Sequence, residues 1–139
     1  MRKDIIKTKL KEIEESIKVI KENLPDKFEK FLDLGLVKDG IYKKIEFAIQ
    51  NVFDICAIIN ADLELGIPAS DEDILENLWR KGILSEELKD KLKKMKGFRN
   101  ILVHRYGKID DKLAYYILKE NIDDFRLFMQ AIEEFLKNE

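Results

Sequence analysis

Apolar residues recur at steps of three and four along nearly the whole chain, while alternation with a period of two is almost absent. That single pattern restricts the chain to helices packed on helices. The first stripe, Ile6, Leu10, Ile13, Ile17, Ile20 and Leu24, predicts a helix over about residues 4–24, with Asp4 placed to cap it. Pro25 interrupts it, and Phe28, Phe31 and Leu32 resume the pattern up to Gly35, so the first helix is either kinked or followed by a short second piece. A long stripe of Ile41, Ile45, Ala48, Val52, Ile55, Ile59 and Leu63 starts after Asp39-Gly40, apolar around much of its circumference as a central bundle helix would be. Gly66-Ile67-Pro68 ends it. Ser70 followed by Asp73 predicts a capped short helix over about 71–81, closed by Gly82. A further helix is expected over 85–102. Gly107 marks a turn, and Asp110 or Asp111 opens a last helical region that Asn121 divides in two. The pattern holds no repeat or flexible linker, so the expectation is one domain over 1–139, an all-α up-and-down bundle with additional short helices.

Composition narrows the chemistry. The chain has one His and one Cys in 139 residues. Cys56 has no partner for an internal disulfide, and one Cys with one His makes no closed zinc site within a chain. Any histidine chemistry falls to His104. An oxygen-ligand metal site stays open, because 28 Asp and Glu are present. They stand against 26 Lys and Arg, for a net charge of -2, which by itself says nothing about nucleic acid. The most apolar run, Val52 to Ile59, is too short to span a membrane and contains Asp54. Met1-Arg2-Lys3-Asp4 leads straight into an amphipathic pattern without a signal-peptide core, so a cytoplasmic location is expected. Cys56 and Trp79 read as core and as bundle edge or partner surface, respectively.

One position breaks the apolar register. In the series Leu88, Leu92, Met95, 99, Leu102, the fourth place is Arg99. A charge on a packing stripe is costly unless it is paired or wet. Arg99 lies at the edge of the face or pairs with a core acid such as Asp54, or else it lines a cleft and binds an anion through its planar donor fork. His104 and Tyr106 follow closely. On an unbroken helix, residues five apart point about 140° away from each other, so Arg99 and His104 share a site only if the helix ends between them. From Lys89 to Lys108 there are eight positive residues against Asp90 alone, a local net charge of +7 and a footprint for a polyanion. Lys93, Lys96 and Arg105 are its candidate RNA contacts.

The block Gly97-Phe98-Arg99-Asn100-Ile101-Leu102-Val103-His104-Arg105-Tyr106 resembles the signature of the HEPN superfamily, and more narrowly that of the HepT-like toxins, Arg-x4-His-x-Tyr with Asn after the Arg. Further along the chain, the Ile45-to-Ile59 helix with Asp54, the break at Gly66-Ile67-Pro68, the turn at Gly82-Ile83-Leu84 and the last helix with Phe125 are similar to features of that family. The resemblance implies a helical domain that forms a homodimer with both motifs in one cleft. It also implies metal-independent ribonuclease activity without a cofactor. A further implication is a type VII-like toxin–antitoxin pair with an MNT-type nucleotidyltransferase antitoxin, which adds AMP to the motif tyrosine, here Tyr106.

The residues suit such chemistry. His104 is placed by its ordinary pKa to move protons near neutrality. Arg99 can hold a phosphate bidentately. Asn100 can donate a hydrogen bond or orient His104, and Tyr106 can touch the phosphate or stack on a base. Asp54 is a supporting candidate. A two-fold dimer would supply the second histidine that one chain lacks. AMP on Tyr106 would set a bulky anion beside these groups. The alternative is a non-catalytic nucleotide- or RNA-binding partner subunit of a nucleotidyltransferase.

Overall fold

The computed structural model describes the backbone of residues 1–104 and 108–139, and the side chains of all of these except His104. Among the described residues there is no strand, and seven helices follow one another: α1 (Lys3–Asn23), α2 (Phe28–Leu32), α3 (Leu36–Asp62), α4 (Asp71–Arg80), α5 (Glu86–His104), α6 (Asp111–Asn121) and α7 (Asp124–Lys137). The all-α bundle expected from periodicity is present, with α2 and α4 as the additional short helices. None of these helices is long and apolar enough to cross a membrane.

Helix α3 is the central post. Ile41, Ile45, Ala48, Val52, Ile55 and Ile59 are buried, as the stripe requires, and so are Tyr42, Ile49, Phe53 and Cys56 on its other sides. It packs against α1, α4 and α5. Ile6, Leu10, Ile13, Ile17 and Ile20 of the α1 stripe are buried, while Leu24 lies just past the helix end and is half-buried. Burial of such side chains contributes roughly 1.5–3 kcal/mol each, which makes the α1–α3 seam a major source of stability.

Several boundaries follow local rules. Ser70 Oγ accepts from the Asp73 N–H at 3.3 Å, and the Asp73 carboxylate accepts in turn from the Ala69 N–H at 2.9 Å, one residue earlier than in a strict capping box. Gly82 takes φ of +82°, a left-handed conformation that favours glycine at a helix end. Ser85 caps α5 through the Leu88 N–H, and Asp110 caps α6 through the Leu113 N–H, both at 3.1 Å. Pro25 stops α1, and α2 is a separate piece rather than the continuation of a kinked helix.

Two expectations fail. Helix α3 starts at Leu36, not after Gly40: the break is Gly35 with φ of +60°, and Asp39 lies in the first turn, where the positive end of the helix favours an acid. Asp4 is not a cap. The cap position is Arg2, whose side chain makes no capping bond. Its backbone N–H instead donates to Asp62 Oδ2 at 2.9 Å, and its guanidinium lies 2.8 Å from Asp62 Oδ1, tying the start of α1 to the end of α3.

Candidate functional site

Helix α5 carries the candidate site. Leu88, Leu92, Met95 and Phe98 are buried and hold the helix to the bundle, and Arg99 continues the Leu88-Leu92-Met95 line. Its side chain is half-buried, and its Nε is fully covered with no hydrogen-bond partner among the described residues. A buried donor left unpaired costs roughly 1–3 kcal/mol, and more on a charged group. Such a donor calls for an acceptor, which the described residues do not supply. Asn100, next to it, is exposed.

Asp54 is not that acceptor. Its carboxylate takes Lys9 Nζ at 3.3 Å and Gln50 Nε2 at 2.8 Å, so of the alternatives for Asp54 the pair with Arg99 is not formed and a bond to α1 stands in its place. Nor does the helix end between Arg99 and His104. Helix α5 runs unbroken to His104, so backbone positions 99 and 104 stand about 140° apart around one axis. Tyr106, Arg105 and the expected turn at Gly107 lie outside the described residues, as does the His104 side chain.

The basic run is also different from its sequence. Lys96 Nζ lies 2.9 Å from both carboxylate oxygens of Glu72. Lys93 is 2.7 Å and Lys89 3.3 Å from Glu76, and Lys91 is 3.2 Å from Asp124. Lys89 is buried, with its ammonium 4.0 Å from the centre of the Trp79 ring, so Trp79 serves an internal contact. The hydrogen bond from Lys93 holds the Glu76 carboxyl below the usual carboxylate range, and Lys96 does the same for Glu72. Four of these cations thus have carboxylate partners among the described residues, and part of the cationic face expected from the +7 count is answered by α4 and α7. Lys94 is exposed and has no ion pair among the described residues.

Sequence reasoning missed a groove of about 510 Å³ between α3, α5, α6 and α7. Lys94, Gly97 and Ile101 of α5 line one side, and Ile117 and Asn121 of α6 lie among the other lining residues. The available signal was Gly97, a glycine in the middle of a helix with no heavy atom within 4 Å of where a Cβ would stand. Among the described residues no three His, Cys, Asp or Glu side chains are grouped as a metal site would require. On the far side of the motif segment, Asp111 accepts from Tyr42 Oη at 2.5 Å and Lys38 Nζ at 2.9 Å, which fixes the start of α6 to α3.

Comparison with known proteins agrees with this architecture. The family model for ribonuclease HepT-like proteins matches residues 13–132. The mRNA nuclease HepT of Shewanella oneidensis is 31% identical over 130 residues, covering 94% of this chain and 97% of that protein. A solved structure of the tri-AMPylated Shewanella oneidensis HEPN toxin, in complex with MNT antitoxin, superposes with a TM-score of 0.84 at 29% identity, covering 94% of this chain and 98% of that one. The cytosolic protein YutE of Bacillus subtilis shares the fold, with a TM-score of 0.83 at 18% identity over 99% of this chain and 92% of its own. The arrangement of α1 to α7, Arg99 and His104 on α5 and these matches lead to one assignment: the chain belongs to the HepT-like ribonuclease family.

Proposed function

We propose that this chain is the toxin of a toxin–antitoxin pair and cleaves RNA without a metal ion or cofactor. The observation that carries the reading is Arg99: a guanidinium set on a packing stripe, its Nε covered and unpartnered among the described residues, five positions before the only histidine of a ribonuclease-family chain. In the proposed step His104 takes the proton of a ribose 2′-hydroxyl. The 2′-oxygen then bonds to phosphorus, the bond from phosphorus to the 5′-oxygen breaks, and that oxygen takes its proton from the histidine of the second copy. Arg99 holds the charge that builds on the phosphate. Asn100 orients His104, and Tyr106 contacts the phosphate or a base.

The 140° between positions 99 and 104 supports a homodimeric site, in which a second copy supplies the complementary group and the second histidine. Lys93, Lys96 and Arg105 contact the RNA backbone, the two lysines by exchanging a carboxylate for a phosphate. Asp54 stays with Lys9 and takes no part. The antitoxin is an MNT-type nucleotidyltransferase, by analogy with the Shewanella oneidensis complex. It silences the chain by placing AMP on Tyr106, where the added anion competes for Arg99. The pair acts in the cytoplasm, where its RNA is.

The test is RNA cleavage by the purified chain with and without EDTA. EDTA leaves the rate unchanged, and His104→Ala and Arg99→Ala each lower it by about 100-fold or more. Cleavage that survives His104→Ala sinks the mechanism. Saturable RNA binding without turnover would instead mark a non-catalytic binding subunit.

A further inference from the structure

The groove of about 510 Å³ beside α5 has a composition that fits neither solvent nor a closed core. Its floor is apolar, formed where the edges of the buried Phe98 and Phe125 reach it, and its half-buried sides include Ile101 and Ile117. Its size falls in the range of small-ligand sites, roughly 300–1,000 Å³. Three features of the rim select an occupant. Lys94 is a cation without an ion pair among the described residues, whereas the other lysine of the rim, Lys91, is balanced by Asp124 at 3.2 Å. The rim is therefore positive on balance. Asn121 uses its amide N–H on the Ile117 carbonyl at 3.0 Å, which leaves its Oδ1 as an acceptor. Gly97 keeps the mouth open at a position where glycine costs about 1 kcal/mol relative to alanine and where nothing in the chain needs the space.

We propose that this groove is a nucleobase subsite for the RNA strand: one unstacked base lies on the apolar floor, its edge meets Asn121, and its phosphate lies on Lys94. The proposal rests on the ribonuclease reading and extends it from the scissile phosphate to a neighbouring nucleotide. Single-stranded RNA is commonly held by splayed bases against apolar and aromatic surface, with cations on the backbone. Helix α5 connects the two places. Ile101 lines the groove one turn before His104, so a base in the groove and a phosphate at the motif belong to one short strand.

The test is anisotropy binding of a fluorescent 2′-O-methyl RNA decamer, which lacks the attacking hydroxyl, to the full chain. Gly97→Leu fills the mouth from a Cβ position that has no heavy atom within 4 Å and improves helix propensity, so the variant is expected to fold. It weakens binding about tenfold, as loss of one stacked base does. Lys94→Gln weakens binding and lowers the salt slope by about one. Circular dichroism verifies the fold, and Ile117→Trp serves as a second filling variant. Wild-type binding that both filling variants retain within twofold overturns the subsite while leaving the ribonuclease reading intact. So does a Gly97→Leu chain that binds RNA normally but changes from dimer to monomer in sedimentation, which would give the groove to a second copy. A wild-type chain that neither binds nor cleaves RNA removes both proposals together.

Discussion

Lys96 Nζ stands 2.9 Å from each carboxylate oxygen of Glu72, so the cation nearest the motif in the basic run of α5 already holds an oxyanion. Glu76 does the same for Lys93 and Lys89 one turn along α4. The acids of α4 occupy the lysines that a phosphate backbone would use.

Removing those acids should therefore strengthen RNA binding. Glu72→Gln with Glu76→Gln is expected to tighten binding of a 2′-O-methyl RNA decamer and to steepen its salt dependence by about one for each phosphate that a freed lysine neutralises. Titrations at several salt concentrations measure both. Unchanged affinity and slope would show that these lysines never meet RNA.

The same carboxylates set a pH dependence. Glu72, Glu76, Asp62 and Asp123 have pKa values lowered in the folded chain, chiefly by side-chain hydrogen bonds from Lys96, Lys93, Arg2 and Lys21. A lowered folded pKa means that the unfolded chain binds more protons as acid is added. The stabilisation is complete above the ordinary carboxylate values and is lost as pH falls through the folded ones. Urea midpoints should hold between pH 6 and 7 and drop below about pH 4.5. Glu72→Gln with Glu76→Gln should flatten that drop.

Asp111 ties α6 to α3. Burial works against its charge, but the hydrogen bonds from Tyr42 and Lys38 outweigh this and hold its carboxyl below the usual range. Burial also pushes the Tyr42 hydroxyl upward, so it stays a donor. Tyr42→Phe removes one bond to a charged acceptor and should cost about 1.5–3 kcal/mol in urea unfolding. Asp111→Ala, which leaves Tyr42 without its acceptor, should cost at least as much.

Cys56 is fully buried in α3, and burial pushes its thiol pKa up. The native chain should resist a thiol reagent at pH 8 for as long as it stays folded, and should react fully in urea. Fast reaction of the native protein would contradict the packing of α3.

What was legible in the sequence was mostly local. Ser70 and Gly82 act within a few residues and name helix ends correctly, and of the two candidates Asp110 and Asp111 the cap is Asp110. The buried stripes of α1 and α3 follow from spacing alone. The start of α3 was not legible, because Asp39-Gly40 looks like a turn while the break lies at Gly35. The electrostatics of the site were not legible either. Lys93 meets Glu76 across 17 positions, Lys96 meets Glu72 across 24 and Lys91 meets Asp124 across 33, so a count along the run sees the cations without their partners. Asp54 finds Lys9 across 45 positions for the same reason. The motif itself was legible only as a resemblance, and Arg99 as the break in a register.

Helix α5 has a mechanical property. Its 19 residues form one rod about 28 Å long. Lys89, Lys91, Lys93 and Lys96 bolt its first two-thirds to α4 and α7, and the segment from Arg99 to His104 projects past the last bolt. Past that last bolt about 12 Å of helix remains, so a tilt of about 5° at its base displaces the far end by roughly 1 Å. The lysine–glutamate pairs are thus the joints through which a displacement of α4 would reach the end of α5.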